Sequence, residues 1–428
     1  MINHKQIVIL WKEFKFPKFI NRNYEINLEN DFIITISGPR RAGKTFICFQ
    51  LIDKLLKKGV SKENILYINF EDNRLLGADA NDLDKILESY KETYEPNKKQ
   101  KIYLFLDEIQ VVNNWDSWVR KINDIDKNIK IVLTGSSSKL LSREISTVLR
   151  GRVLNKEIFP LSFKEFISWK NLDYNIKTIS YSKEKMKMKK LFKSFLNKGG
   201  YPDAVFQETD NEKILQSYYD SMILKDIVER HKIEDVKKIK MLSNLLLESV
   251  SEDISYSRLA NKLASIGINI SKNTIIEYLS YFEDAYVFFQ NIKYEYSQGK
   301  QMGSIKKLYF IDNGMLNSVS FKFSKDSGKL LENLAYIELK RRGLNVFYNR
   351  DTYECDFVIQ EKNKVVQAIQ IVEEISPENR EREIKGLIEA MNKFNLKKGL
   401  ILTYEQEEEI IRDKKKIIIK PVWKWLLE

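Results

Sequence analysis

Residues 1–30 are mixed and aromatic, with no repeating pattern of polar and apolar positions. A β-branched and aromatic run, Phe32-Ile33-Ile34-Thr35-Ile36, then meets a glycine, which predicts a buried strand. From Lys44 the period lengthens. Phe46, Ile47, Phe49, Leu51, Ile52, Leu55 and Leu56 recur at near-helical spacing, and Gly59 falls where a helix C′ glycine sits. Ile65-Leu66-Tyr67-Ile68-Asn69-Phe70 reads as the next strand, and a charged helix follows around 79–90. Strand 102–106, helix 115–125 and strand 129–134 complete the series. Strands alternating with helices predict an α/β fold, a parallel sheet with helices on both faces.

The pattern changes after Phe159-Pro160. Residues 162–235 are mostly helical in character, interrupted by a turn at Gly199-Gly200-Tyr201-Pro202, and 183–193 is a basic stretch. Residues 236–312 hold two helical patterns and a strand-like end, Leu308-Tyr309-Phe310-Ile311. Residues 321–329 are polar with a glycine and read as a linker. From Leu330 a helix leads into strand-like runs over 344–348, 355–360 and 365–372, and another strand covers 417–420. The expected divisions are an N-terminal extension (1–30), an α/β core (31–160), a helical segment (161–235), a further segment (236–320) and a C-terminal domain (330–428).

Composition narrows this picture. A chain of 428 residues exceeds one ordinary core, and 43% hydrophobic with 31% charged residues fits a folded protein. No apolar run approaches the ~18 residues of a membrane span. Ile7-Val8-Ile9-Leu10 is shorter than the ~7–15 residues of a signal-peptide core. Two cysteines and two histidines argue against a disulfide framework and against a Cys/His metal site. A cytoplasmic protein without membrane partners is expected. The net charge of +12 suits polyanions such as nucleic acid, although a lysine-rich solvated surface accounts for it equally well.

The chemistry concentrates at the first predicted strand–helix junction. Gly38-Pro39-Arg40-Arg41-Ala42-Gly43-Lys44-Thr45 fits G-x-x-x-x-G-K-[ST] in full, between a β-branched strand and an apolar helix. Glycines let backbone N–H groups wrap a phosphate, and the helix N-terminus adds partial positive charge. Lys44 is expected on the β- and γ-phosphates of ATP, and the Thr45 hydroxyl on Mg²⁺. The predicted strand 102–106 ends in Asp107-Glu108, which delivers Asp107 to the Mg²⁺ shell and Glu108 to the attacking water. A third strand ends in Thr134-Gly135-Ser136-Ser137-Ser138, where Ser136 could contact the γ-phosphate or cap a helix beginning near Leu140. Of the arginines that follow, Arg143, Arg150 and Arg152, the last is chosen to stabilise charge in phosphoryl transfer; a surface pair with Glu157 is the plainer reading.

These motifs, with Arg150-Gly151-Arg152, residues 160–166 (Pro-Leu-Ser-Phe-Lys-Glu-Phe), 199–202, Asp226-Ile227-Val228-Glu229-Arg230, 308–314 and Glu354-Cys355-Asp356-Phe357, appear in one order along most of the chain. In that combination the sequence resembles the archaeal and bacterial AAA-family ATPases that carry a C-terminal domain of unknown function. The resemblance implies a P-loop AAA-type parallel sheet, a helical lid, a winged-helix segment and an α/β C-terminal domain similar to restriction endonucleases. Residue patterns support the winged helix. Residues 255–263 read as a capped helix and 269–279 as a second helix after a short turn, with Lys272 and Asn273 at its start. Duplex DNA is therefore expected at 236–312. The alternative is a nucleotide-controlled switch acting on a protein partner or through self-association.

The C-terminal domain is expected not to cut nucleic acid. An active site of that type needs a carboxylate on one strand and an acidic residue followed by a lysine on the next. Asp356, with Glu354 and Glu332 nearby in sequence, supplies the first part, but Gln370 and Val372 stand where the second pair belongs. A lysine from elsewhere, such as Lys340, is the alternative.

Overall fold

The protein is described by a computed structural model over residues 2–137, 151–176, 178–179, 183–207, 209–320 and 326–428. Two compact units divide the chain, Met1–Ile158 and Phe159–Glu428.

The first unit is built on a five-stranded parallel sheet. Its strands are β1 (Ile33–Ser37), β2 (Ile65–Asn69), β3 (Ile102–Asp107), β4 (Ile129–Gly135) and β5 (Val153–Glu157), in the order β2-β3-β4-β1-β5. Every residue of β1, β3 and β4 is buried, as expected for apolar runs covered on both faces. Register decides what this sheet can do. Ser37 stands beside Gly135, Leu106 beside Leu133 and Asn69 beside Asp107, so the C-terminal ends of four strands share one edge. Strand β5 was not expected, because its Leu154, Asn155 and Lys156 are exposed and its apolar pattern is weak. It pairs with β1 from Ile33↔Val153 to Ser37↔Glu157.

Among the described residues four helices flank this sheet. The first, α1 (His4–Glu13), had no signal; its Ile7, Val8 and Trp11 enter the core and His4 Nε2 lies 2.8 Å from Asp82. The loop helix α2 (Lys44–Lys57) is followed by Gly59 at φ +87°. Helix α3 (Ala80–Thr93) opens with a reciprocal cap between Asp79 and Asp82, and α4 (Trp115–Ile125) turns Trp115, Trp118, Val119 and Ile122 inward.

The second unit begins with helices Phe163–Trp169, Glu184–Lys198 and Asn211–Ser221, the last continuing into a π-helical stretch, Met222–Glu229. Helices Val236–Leu247, Tyr256–Ser265 and Lys272–Asp284 follow, with β6 (Asp253–Ile254), β7 (Phe288–Ile292) and β8 (Lys306–Phe310) forming an antiparallel sheet in the order β6-β8-β7. Helix Ser327–Arg341 then leads into a mixed sheet of β9 (Asn345–Arg350), β10 (Glu354–Glu361), β11 (Lys364–Ile371), β12 (Lys398–Thr403), β13 (Glu408–Arg412) and β14 (Lys415–Pro421). Its order is β13-β14-β12-β11-β10-β9.

One apolar cluster in this unit draws residues from Phe159 to Leu427. The runs at 199–202 and 308–314 meet within it. Asp312 accepts the Gly200 N–H at 2.7 Å and the Met315 N–H at 2.9 Å, and a Cβ on Gly314 would lie 2.0 Å from the Lys198 carbonyl. These residues make a packing joint. No described helix is long and apolar enough to cross a membrane.

Candidate nucleotide site

The loop 38–45 runs from the end of β1 into α2. Gly38 has φ +153°, and a Cβ there would lie 2.1 Å from the Ile158 carbonyl oxygen, so β5's continuation leaves room only for glycine. Arg41 and Gly43 also take positive φ, and Ala42 is fully buried. Two groups outside the motif hold the loop. Arg22 Nη1 donates to the Ala42 carbonyl at 2.7 Å, while Arg22 and Gln50 exchange backbone–side-chain hydrogen bonds of 2.7 and 3.0 Å. Arg40 pairs with Glu71 at 2.6 Å. Nothing in the sequence marks Arg22 or Gln50, because their role depends on bringing residue 22 back against the loop.

Lys44 is 4% exposed. Its ammonium donates to the carbonyls of Gly38 (3.1 Å) and Pro39 (3.2 Å) and lies 3.3 Å from Glu108 Oε1. Thr45 Oγ1 donates to Asp107 Oδ2 at 2.7 Å. The same carboxylate takes the Tyr67 hydroxyl at 2.7 Å and, through Oδ1, the Thr134 hydroxyl. Thr134 in turn accepts the Glu108 N–H at 2.9 Å. Glu108 itself sits at φ +53°, which aims it away from the strand line, and Gln110 Nε2 donates to it at 2.5 Å.

Burial, and then the adjacent Glu108 charge, push the Asp107 carboxyl above its ordinary range despite three hydroxyl donors. Burial works the same way on Glu108, but Lys44, Gln110 and Arg40 outweigh it and hold that carboxyl below its ordinary range. Two adjacent carboxylates thus meet different fields because only one faces the lysine.

The structure brings Gly38, Pro39, Lys44, Thr45, Asp107 and Glu108 together on one sheet edge. Ser136 is buried one residue beyond β4, on the same edge. Ser138, Arg143 and Arg150 lie outside the described residues. Arg152 does not lie at the loop of its own chain. Its carbonyl accepts the N–H of Ile33, the first residue of β1, at 2.9 Å, whereas the loop follows the last. Four strand steps of about 3.3 Å separate these ends. The Arg152 guanidinium is exposed and paired with Asp124. The sequence did not reveal this because β5 was not legible, and β5 sets where residue 152 lies.

The model of the family described as "AAA domain" matches residues 30–167, and that of a "Domain of unknown function (DUF8612)" matches 189–326. A Methanocaldococcus jannaschii protein, "Uncharacterized protein MJ1544", is 43% identical over 96% of this chain and 92% of its own length. The chain belongs to the AAA-family P-loop ATPases with a C-terminal domain of unknown function. A Haemophilus influenzae member, "Uncharacterized protein", is 34% identical over 89% of this chain and 92% of its own. Among solved structures, the Walker-type ATPase PABY2304 of Pyrococcus abyssi aligns with 74% of this chain and 95% of its own, at 13% identity and a TM-score of 0.43.

The second unit of this family member holds another polar centre. Lys307 on β8 is surrounded by Glu332, Glu354 and Asp356, within an open cleft of about 670 Å³. Burial works against the Lys307 ammonium, but Glu332, Asp356 and Glu354 outweigh it and keep its pKa well above the ordinary lysine value. Gln370 is beside Asp356, whose N–H it accepts at 3.3 Å, and its amide donates to Glu383 at 2.9 Å. Lys340, the lysine suggested by sequence, lines a different cleft with Glu283 and Lys306.

Proposed function

We propose that this chain binds ATP–Mg²⁺ at residues 38–45 and hydrolyses it. Thr45 and Asp107 hold the Mg²⁺ shell, Lys44 reaches the β- and γ-phosphates, Ser136 contacts the γ-phosphate side, and Glu108 activates water. The observation that carries the reading is the Thr45–Asp107 bond beside the Lys44–Glu108 pair, on the edge where β1, β3 and β4 end. The residues fit the cofactor: a hydroxyl and a carboxylate suit a hard oxygen-seeking cation, and a lysine at a helix N-terminus suits phosphate. Bound Mg²⁺ would neutralise charge developing on the transferred phosphoryl group. The test is calorimetric ATP binding with and without Mg²⁺, followed by phosphate release. No binding with Mg²⁺ present would reject the reading.

The same proposal assigns residues 31–160 to the ATPase core, with 1–30 as its extension, and 161–235 to a lid. It reads 236–320 as a winged helix that couples nucleotide state to duplex DNA. Support comes from three helices interleaved with strands β6, β7 and β8, and from Lys272 and Asn273 exposed at the start of helix Lys272–Asp284. A protein partner is the second reading, favoured by Ile276 and Glu277, which are exposed on that helix and suit an apolar or basic surface better than phosphate. ATP turnover with and without DNA across a salt titration separates the two, since phosphate contacts give a steep salt slope. Residues 330–428 read as a restriction-endonuclease-like fold used for binding or assembly.

A further inference from the structure

The Lys307 ammonium meets three carboxylates that come from separate parts of the chain. Its Nζ lies 3.0 Å from Glu332 Oε1 on helix Ser327–Arg341, 2.5 Å from Glu354 Oε1 and 3.0 Å from Asp356 Oδ1, both on β10. Lys307 and Asp356 are 4% and 5% exposed. Three N–H donors therefore face three oxygen acceptors.

Each carboxylate also has a partner other than the lysine. Asp356 Oδ2 accepts the Ile371 N–H at 2.9 Å, Glu332 Oε1 accepts the Tyr309 hydroxyl at 2.7 Å, and Glu354 Oε2 accepts Arg350 Nε at 2.5 Å. The carboxylates are thus aimed at one point by groups other than the lysine. Three carboxylates converging on one point at the wall of the cleft need a cation there, since like charges at such distances repel, the more so where burial reduces screening. Proteins meet that need with a divalent ion bound by oxygen ligands or with a tethered ammonium. Among the described residues no group of three or more His, Cys, Asp or Glu side chains is arranged to hold a metal ion.

We propose that Lys307 is a built-in cation occupying a divalent-cation site made by Glu332, Glu354 and Asp356. The ammonium keeps Mg²⁺ and Mn²⁺ out and fastens β8 to the helix Ser327–Arg341 and to β10. Removing it unmasks the metal site. Metal-assisted phosphodiester cleavage is then closed to this cleft in the wild-type chain, because its cation position is already filled.

The test measures Mn²⁺ stoichiometry on the full-length protein by electron paramagnetic resonance, without nucleotide, so that any ion at the P-loop is common to all variants. Wild type and Asp356→Asn should bind equal amounts. Lys307→Met should bind one Mn²⁺ more than Lys307→Met/Asp356→Asn, and only the single variant should gain melting temperature with millimolar Mn²⁺. An extra Mn²⁺ in wild type over Asp356→Asn overturns the proposal, because the ammonium would not be filling the site. A folded Lys307→Met that binds no more than the double variant overturns it too, since the acids would form no metal site. If Lys307→Met misfolds, Lys307→Gln replaces it. Refolding of either variant by Mn²⁺, absent when Asp356→Asn is added, supports the proposal, and failure of both to fold with or without Mn²⁺ counts against it.

Discussion

The Thr45 hydroxyl donates to Asp107 Oδ2 across 2.7 Å, joining the first turn of α2 to the end of β3. These residues stand 62 positions apart, and their contact turns a loop motif and a strand-end carboxylate into one candidate cation site. The adjacent Glu108 faces Lys44 instead.

Lys44→Ala is expected to weaken ATP–Mg²⁺ binding by at least about 100-fold, through loss of the one ammonium that can reach the phosphates from within the loop. It also leaves the buried Glu108 without its nearest cation, so melting temperature should fall in the absence of nucleotide. Calorimetry and a thermal melt check the two effects, and equal affinity in both proteins would refute the assignment.

Glu108→Gln should bind ATP normally while phosphate release drops by roughly 100- to 10,000-fold, the range associated with losing a general base. Asp107→Ala should instead lose Mg²⁺-dependent affinity. It should also be less stable, because Thr45, Tyr67 and Thr134 all donate to that carboxylate. Single-turnover phosphate release alongside calorimetry with EDTA distinguishes the pair.

Arg152→Ala should leave turnover within about twofold of wild type and stability nearly unchanged, since exposed ion pairs such as Arg152–Asp124 contribute about 0–1 kcal/mol. A drop of tenfold or more, at low or high protein concentration, would restore Arg152 to the chemistry.

Gly38→Ala should abolish nucleotide binding and destabilise the first unit. A methyl group there meets the Ile158 carbonyl at 2.1 Å, and backbone cannot yield as a flexible side chain can. The cost should exceed about 1 kcal/mol. Chemical denaturation gives the number, and a wild-type midpoint would show that the β1–β5 continuation is looser than described.

Lys272→Ala should weaken binding of duplex DNA to the full chain about equally across sequences, and lower the salt slope by about one. Gel shifts at several salt concentrations measure both. No complex at low salt, with or without ATP, would leave the protein-partner reading in place.

The sequence by itself determined the parallel sheet of the first unit, the loop and the acidic pair. Those signals are local: apolar runs at 32–36, 102–106 and 129–134, one contiguous eight-residue motif, and two carboxylates at a strand end. Helix α4 appeared at its expected bounds, Trp115–Ile125, for the same reason, as its apolar positions repeat along one face. Strands β5, β6, β7, β12 and β13 were missed. In β5 and β13 most residues are exposed, so neither strand shows a buried apolar run. Tertiary structure alone decided that Arg22 braces Ala42, that Arg152 lies at the far end of β1, and that Lys307 rather than Lys340 meets Asp356. Lys307 is 25 residues from Glu332 and 49 from Asp356. Periodicity reports which face of an element is buried, but not which distant element covers it. Those partners are set by strand order and register, which the chain specifies only once the whole sheet is paired.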